Sequence, residues 1–206
     1  MAELVFYTNP MSRGRIVRWI LEEVSQPYRT ELLDYATTMK APEYLAINPM
    51  GKVPAIKHGD TVVTECAAIC AYLADAFPAA GLAPPVDKRG AYYRWLFFAA
   101  GPMEQAVTNN ALGLKAPADR EAMVGYGTLG KVLDTLEKAV SGSGFIAGDR
   151  FTAADVYVGA HIGWGLQFGS IEKRPAFASY FAKVSDREAF RRANKLDDAA
   201  MPAKPG

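Results

Sequence analysis

The stretch Asn48-Pro49-Met50-Gly51-Lys52-Val53-Pro54-Ala55-Ile56 decides how the first part of this chain folds. A Pro-x-Gly turn leads into a short apolar run, and Pro54 stands inside that run. Proline has no N–H for a β-ladder, so it is confined to the first residue of a strand, an edge or a bulge. The bond before Pro54 can be cis at a cost of only about 0.5–1 kcal/mol relative to trans. Either isomer leaves the N–H and C=O of Val53 able to pair with an extended peptide, although an ordinary edge strand fits the same residues.

Short apolar runs and helical patterns alternate around this stretch. Strands are predicted over residues 4–7, 28–33, 53–57 and 61–63. Helices are predicted after Ser12 and after Thr64, each acting as an N-cap, with a short helix near Pro42–Leu45. The order is βαβ followed by ββα, so the first part is an α/β domain of the thioredoxin-like kind with a parallel strand pair.

A proline-rich stretch over residues 77–85 separates this domain from a second part that shows no convincing strand. We therefore predict a thioredoxin-like domain over 1–77, a linker over 78–86 and an all-helical domain over 87–206. Helices are expected from residue 92, over 118–140, after Thr152, over 175–184 and over 187–194. The tail from Lys195 is expected to be loosely held.

A helix start is predicted by the stretch Phe151-Thr152-Ala153-Ala154-Asp155-Val156. Thr152 and Asp155 have the spacing of a capping box, and Phe151 can pack on Val156 as a hydrophobic staple. The predicted role of this motif is structural, because it fixes where the central helix of the second domain begins.

Composition and charge exclude several classes of protein. The net charge of +1 gives no basic excess for nucleic-acid binding. Cys66 and Cys70 do not make a disulfide framework, and no cluster of His, Cys and carboxylates has metal-ligand spacing. The N-terminus lacks a leader pattern, and no apolar run approaches the roughly 20 residues of a membrane span. We expect a cytoplasmic protein that binds neither nucleic acid, nor membrane, nor metal.

Taken in order, these features resemble the cytosolic glutathione S-transferase superfamily, in particular bacterial members with a serine-type (beta- or theta-like) active site. The resemblance rests on the strand–Ser–helix start, the Asn48–Pro54 motif, Thr64-Glu65-Cys66, the proline-rich linker and the Phe151–Asp155 motif. Met50 and Cys66 depart from the Gln and Ser that many members carry.

The resemblance implies which residues hold glutathione, the co-substrate. Val53 pairs through its backbone with the cysteinyl part, and Pro54 is cis. Glu65 and Cys66 hold the γ-glutamyl end, where a carboxylate suits the ammonium group and a helix N-terminus suits the carboxylate. Lys52 and Lys40 are candidates for the glycyl carboxylate, although both also fit solvated surface charges.

A glutathione transferase keeps the thiol ionised at neutral pH. A free thiol has a pKa of about 8.5, and lowering that pKa by two units requires roughly 2.7 kcal/mol of thiolate stabilisation. Ser12 lies just before the first helix, where serine-type members carry their activating residue. Tyr7 stands six residues before Arg13-Gly14, two more than in tyrosine-type members, and Asn9 occupies the tyrosine-type place. The spacing favours Ser12 and leaves Tyr7 and Asn9 as alternatives.

The electrophile is expected to contact Met11 and Tyr35 from the first domain and Met103, Val107 and Asn110 from the second. Methionine and aromatic side chains suit a loosely specific apolar pocket. The predicted function is conjugation of glutathione to small, largely apolar electrophiles in detoxification, by a homodimer.

Two other functions fit the same fold. One is a glutathione-dependent thiol or peroxide reductase, which usually needs a cysteine at the Ser12 position. The other is a non-catalytic binding protein that keeps the glutathione-transferase fold.

Overall fold

The computed structural model describes residues 2–202 of the 206-residue chain. It divides into two compact units. The first contains the residues up to Leu82 together with those from Asp186 onward, and the second is Ala83–Ser185. Within residues 2–202, no helix is both long enough and apolar enough to cross a membrane.

The first unit contains a four-stranded sheet with the order β2-β1-β3-β4. The strands are β1 (Leu4–Thr8), β2 (Arg29–Leu32), β3 (Ala55–His58) and β4 (Thr61–Thr64). β1 runs parallel to β2 and antiparallel to β3, which is antiparallel to β4. A parallel pair needs a crossover, and the predicted helix after β1 supplies it. The predicted thioredoxin-like α/β arrangement is confirmed.

The third strand begins later than the predicted residue 53. Val53 and Pro54 precede β3, and the peptide bond between them is cis. Pairing with β1 reaches Ala55, which lies opposite Tyr7. Pro54 has no N–H to continue the ladder, so the two residues form an entry segment beside the sheet rather than part of it.

Three helices complete this part of the unit: α1 (Gly14–Val24), α2 (Pro42–Leu45) and α3 (Cys66–Ala76). The predicted caps are each wrong by one residue, because the residues that precede α1 and α3 are Arg13 and Glu65. α1 buries the apolar stripe that its sequence predicts, including Ile16, Val17 and Ile20.

The second unit is helical, as predicted. Its helices are α4 (Gly90–Phe98), α5 (Glu104–Ala111), α6 (Leu129–Val140), α7 (Ala153–Phe168) and α8 (Pro175–Ser185), with a π-helical segment at Ala99–Met103.

The predicted continuous helix over 118–140 is wrong in its first half. Ala118–Met123 form a separate 3₁₀ segment, and α6 starts only after Thr128. Between them, Gly127 has a φ of 69°. The Thr128 hydroxyl accepts the Lys131 N–H at 3.2 Å, which is an N-cap. Glycine is a poor helix former, so Gly127 and the threonine cap together set a later start.

The predicted capping box of α7 is confirmed. One oxygen of Asp155 accepts from the N–H of Thr152 at 2.9 Å and from its hydroxyl at 3.0 Å. The other accepts from the Ile146 N–H at 2.8 Å and the Tyr180 hydroxyl at 2.7 Å. Burial raises the pKa of Asp155, while these donors oppose the rise. The motif thus joins the start of α7 to the preceding loop and to α8.

The last helix, α9 (Glu188–Ala199), packs on α1 in the first unit. The rings of Trp19 and Phe190 meet edge to face at 4.7 Å between centroids. Both carboxylate oxygens of Glu23 accept from Arg187, at 2.6 and 2.7 Å. The prediction placed this segment in the second domain, whereas these contacts attach it to the first unit.

A buried ion pair also joins α9 to α1. Arg18 and Asp197 are almost fully buried and lie 3.1 Å apart, Nε to Oδ1. The expectation of a loosely held tail from Lys195 is therefore wrong as far as Ala199, since a buried pair orders both side chains. Residues 203–206 of that tail lie outside the described residues.

Candidate functional site

One edge of the sheet gathers most of the predicted site residues. Tyr7 on β1 lies opposite Ala55 on β3, and Ala55 lies opposite Thr64 on β4. The segments that follow β1, precede β3 and follow β4 therefore meet at this edge. We call these segments, residues 9–13, 52–54 and 65–66, the site edge. A thiol–carbonyl contact of 3.7 Å between Cys66 and Arg13 joins two of them directly.

The hydroxyl of Ser12 is already held in a hydrogen-bonded turn. It donates to the Asn9 carbonyl at 2.6 Å and accepts the Gly14 N–H at 2.9 Å. Ser12 therefore holds the turn before α1 without being the N-cap of that helix. To donate to a ligand, this hydroxyl gives up a neutral carbonyl acceptor and no charged partner.

Asn9 uses both ends of its amide within the protein. Its nitrogen donates to the Leu33 carbonyl at 2.8 Å, and its oxygen accepts the Met11 N–H at 2.9 Å. These bonds tie the segment after β1 to the end of β2. They favour a structural role for Asn9 over direct contact with sulfur.

Gly14 allows the first turn of α1 to lie against the end of β1. A Cβ added there would come 1.9 Å from Oγ1 of Thr8, which is completely buried. Any side chain would push the helix start away from the strand. The absence of a side chain therefore sets the position of the α1 N-terminus and of Ser12 beside it.

Tyr7 is partly buried and packs inward. Its ring lies 5.5 Å from the ring of Tyr44, and both belong to a cluster with Met39 and Ala55. This packing favours the structural interpretation of Tyr7.

The backbone of Val53 is unpaired at the site edge. Of residues 2–202, none forms a hydrogen bond with its N–H or its C=O. The cis bond to Pro54 and the ladder that reaches Ala55 hold this residue next to the sheet. A donor and an acceptor on one residue, beside a strand, suit an extended peptide ligand.

The two predicted lysines differ in their surroundings. Lys40 donates from Nζ to the Gly51 carbonyl at 2.7 Å, so its ammonium already holds the turn before the site edge. Lys52 has an exposed side chain. Between them, Lys52 is the one whose charge is available without breaking a protein contact.

Glu65 adopts a backbone conformation that L-residues rarely populate. Its φ is 66° and its ψ is 119°, immediately before α3, and its side chain is exposed. A non-glycine residue in such a region costs on the order of 1–3 kcal/mol, and such strain clusters at functional sites. Nothing in local helix capping requires a glutamate there, because its side chain makes no cap bond.

Cys66 is the first residue of α3 and is 7% exposed, while Cys70 one turn later is completely buried. Neither forms a disulfide, as expected. Burial raises the pKa of the Cys70 thiol well above its ordinary value. Cys70 is therefore a neutral core side chain, and only Cys66 reaches the site edge.

The predicted electrophile residues of the first unit lie beside the site edge. Met11 and Tyr35 are 56% and 47% exposed, and the Tyr35 hydroxyl donates to the Met11 carbonyl at 3.3 Å. Together they present an apolar surface next to Ser12.

The predicted electrophile residues of the second unit differ in exposure. Met103 is 1% exposed and belongs to the core of that unit, so its side chain is not open to a ligand. Val107 is partly buried, and Asn110 is exposed.

Sequence reasoning missed two side chains that support the site edge. Tyr44 and Asn48 both donate to the Lys52 carbonyl, at 2.5 and 2.8 Å. Asn48 before Pro49 is a typical turn residue and was a detectable signal. Tyr44 gave no signal, because its partner lies eight residues away in an irregular segment.

Comparison with known proteins decides the family. The models for the glutathione S-transferase N-terminal and C-terminal domains match residues 11–76 and 105–183. Glutathione S-transferase GstA of Escherichia coli O157:H7 is 30% identical over 149 residues, covering 70% of this chain and 73% of GstA. This chain belongs to the glutathione S-transferase family.

Solved glutathione S-transferases share the fold over nearly the whole chain. The glutathione transferase of Methylococcus capsulatus str. Bath has a TM-score of 0.79 at 27% identity, covering 95% of this chain and 99% of that one. A sphingomonad glutathione S-transferase complexed with glutathione has a TM-score of 0.75 at 28% identity, covering 94% and 98%. The chain is thus assigned to a family of enzymes, the glutathione transferases.

Proposed function

We propose that this glutathione transferase binds reduced glutathione at the site edge and transfers it to small, largely apolar electrophiles. Ser12 stabilises the thiolate in a serine-type site of the kind found in bacterial members. The main support for the proposal is the Val53 backbone, whose N–H and C=O have no partner within residues 2–202. The pairing of Tyr7 with Ala55 and of Ala55 with Thr64 brings Val53 close to the segments that contain Ser12 and Glu65.

Val53 binds the cysteinyl part of glutathione by strand addition. Its N–H donates to the cysteinyl carbonyl, and its C=O accepts the cysteinyl N–H. Pro54 has no N–H, so it offers the bound peptide no further backbone donor. The sphingomonad relative complexed with glutathione supports this choice of ligand.

Glu65 and Cys66 bind the γ-glutamyl end. The exposed carboxylate of Glu65 pairs with the ammonium group. The γ-glutamyl carboxylate lies at the N-terminus of α3, where the N–H of Cys66 and the helix dipole favour an anion. Binding of the ammonium group explains why a glutamate stands in this strained backbone conformation.

The glycyl carboxylate is assigned to Lys52. Its side chain is exposed, whereas Lys40 is engaged with Gly51. Lys40 contributes indirectly, by holding the turn from which Lys52 projects.

Ser12 supplies the thiolate stabilisation. A hydrogen bond to a charged acceptor contributes about 1.5–3 kcal/mol, against about 0.5–1.5 kcal/mol for the Asn9 carbonyl bond that the hydroxyl gives up. The nearby N-terminus of α1 adds about 0.3–1 kcal/mol. These terms together approach the roughly 2.7 kcal/mol needed to lower the thiol pKa by two units. A serine in place of a cysteine argues against a thiol or peroxide reductase.

The electrophile binds against Met11 and Tyr35, which give an exposed apolar surface next to Ser12. Steady-state assays of a Tyr35→Ala variant with an apolar aryl halide test this role: KM for the halide rises, while KM for glutathione is unchanged.

The site is tested by titrating glutathione into wild type and Ser12→Ala by calorimetry, with thiolate absorbance followed across pH. Wild type is expected to bind glutathione with a thiol pKa near 6.5, and Ser12→Ala to bind it with a pKa about one unit higher, because the contribution of the α1 N-terminus remains. Ser25→Ala, which removes a hydroxyl at the opposite end of α1, is the matched control and leaves the pKa unchanged.

Three other results carry different conclusions. Binding with a low pKa that Ser12→Ala does not move assigns the thiolate to Tyr7 or Asn9. Binding without turnover on any electrophile favours the non-catalytic binding protein. Absence of binding overturns the site itself.

The enzyme is proposed to act as a homodimer in the cytoplasm. On α4, Tyr93 is 42% and Phe97 is 71% exposed, which supports an apolar contact between two copies. Two reduced cysteines fit a reducing compartment. Sedimentation velocity at micromolar concentration tests the dimer, and a single monomer boundary would exclude it.

A further inference from the structure

Two buried side chains converge on a single carbonyl next to Val53. The Tyr44 hydroxyl donates to the Lys52 carbonyl at 2.5 Å, and the Asn48 amide nitrogen donates to the same oxygen at 2.8 Å. A carbonyl oxygen has two lone pairs, so this oxygen is fully used. Tyr44 and Asn48 are each only 4% exposed, which gives both bonds a fixed frame.

The Lys52 carbonyl and the Val53 N–H belong to one peptide plane. A peptide bond is planar, and in its trans form the C=O and the N–H point in opposite directions. The Lys52–Val53 bond is not among the cis bonds of residues 2–202. Holding the carbonyl from one side therefore aims the Val53 N–H away from Tyr44 and Asn48.

Each donor is itself held in one orientation. The Asn48 side-chain oxygen accepts the Met50 N–H at 3.1 Å, which fixes the amide so that its nitrogen faces Lys52. The ring of Tyr44 packs against Tyr7. Burial raises the pKa of Tyr44 to about 12, so the phenol keeps its proton throughout the neutral range.

We propose that Tyr44 and Asn48 are positioning residues for glutathione: by clamping the Lys52 carbonyl, they hold the Val53 N–H in the direction that the cysteinyl carbonyl requires. The inference rests on the proposed function of Val53. The clamp lowers the ordering cost of binding, since the peptide plane does not have to be immobilised when the ligand arrives.

Tyr44→Phe is the primary test, because it removes one hydroxyl and keeps the ring that packs on Tyr7. Tyr28→Phe is the matched control. The Tyr28 hydroxyl is also hydrogen-bonded, to Glu22 and Arg18, and burial also raises its pKa to about 12. Both variants lose one hydrogen-bonded tyrosine hydroxyl, and of the two tyrosines only Tyr44 contacts the Lys52 carbonyl.

Calorimetry with reduced glutathione is expected to show affinity about five-fold weaker for Tyr44→Phe and unchanged for Tyr28→Phe. The pKa of the bound thiol stays at the wild-type value in both, because Ser12 is intact. The Val53 amide resonance, followed in ¹⁵N-valine-labelled protein, shifts on glutathione addition in wild type and shifts less in Tyr44→Phe.

Asn48→Ser gives a second, independent variant, because serine is too short to reach the Lys52 carbonyl. It is expected to weaken glutathione binding by a similar factor. The Tyr44→Phe/Asn48→Ser double variant is expected to lose more than the product of the two, since either bond alone still restrains the plane.

The outcomes separate the two proposals. If wild type binds glutathione and both Tyr44→Phe and Asn48→Ser bind it with the same affinity, the positioning role is overturned and the proposed function stays intact. Equal loss of affinity in Tyr44→Phe and Tyr28→Phe also overturns it, because the effect then follows general stability. Failure of wild type to bind glutathione overturns both.

Discussion

The capping box of α7 and the site edge are both polar clusters, but the first is closed and the second is open. Asp155 is completely buried, and each of its oxygens accepts two hydrogen bonds from the protein. At the site edge, no residue within 2–202 pairs with the Val53 backbone, and Glu65 holds a positive φ. A polar group satisfied inside the protein adds stability, whereas the unpaired backbone of Val53 and the strained φ of Glu65 support the proposed glutathione site.

Breaking the closed cluster gives the largest expected effect. Asp155→Ala leaves four donors without their acceptor, including the buried Thr152 groups and the Tyr180 hydroxyl. We expect the free energy of unfolding in urea to fall by about 3–5 kcal/mol. Asp149→Ala, an exposed neighbour, is the control and changes it by less than about 0.5 kcal/mol. A loss below about 1 kcal/mol for Asp155→Ala would show that the box is not a closed stabilising cluster.

Relieving the open cluster should change stability and binding in opposite directions. Glu65→Gly removes the strain of a positive φ and is expected to raise the free energy of unfolding by about 1 kcal/mol. The same variant loses the carboxylate and is expected to bind glutathione at least ten-fold more weakly by calorimetry.

Glu65→Ala is the matched variant for that comparison. It also removes the carboxylate but keeps a Cβ in the strained conformation, so affinity falls without a gain in stability. If Glu65→Gly is no more stable than Glu65→Ala, the backbone strain at this position is not real.

The pH dependence of stability sharpens the same contrast. Burial raises the pKa of Asp155 in the folded state. A raised folded pKa means that the folded state holds its proton longer than the unfolded state does. The stabilisation by the protonated form is complete below the unfolded pKa of about 3.9 and is lost as pH rises through the folded pKa.

Urea unfolding of wild type and Asp155→Asn from pH 3.5 to 7 measures this loss. The stability advantage of wild type over Asp155→Asn is expected to narrow as pH rises. An advantage that widens with pH would mean that the four hydrogen bonds, and not burial, decide the ionisation of this carboxyl group.

The smallest effect is expected at Tyr7, which lies on β1 next to the site edge but packs inward. Tyr7→Phe keeps the ring beside Tyr44 and removes only the hydroxyl. Its kcat/KM for glutathione is expected to stay within about two-fold of wild type, in contrast to Ser12→Ala. A ten-fold loss in Tyr7→Phe would transfer the thiolate role from Ser12 to Tyr7.

The fold and the local motifs were predictable because their signals are short in sequence. The strand runs, the α1 stripe and the Thr152–Asp155 spacing each act within a few residues. The prediction of one helix over 118–140 was wrong because Gly127 and the Thr128 cap outweigh the apolar spacing and set a later helix start. The later start of β3 follows from Pro54, which ends the ladder at Ala55.

The element order, the α7 capping box and the residue types of the candidate site follow from the sequence alone: a hydroxyl before a helix, a Val-Pro pair and a glutamate before another helix. Which of these groups have partners depends on the tertiary structure. It engaged the Asn9 amide with Leu33, placed Tyr44 and Asn48 on the Lys52 carbonyl and brought α9 back to α1 through Arg187 and Glu23. Hydrogen bonds in irregular segments and between distant helices have no sequence period, so they become visible only when the chain has closed on itself.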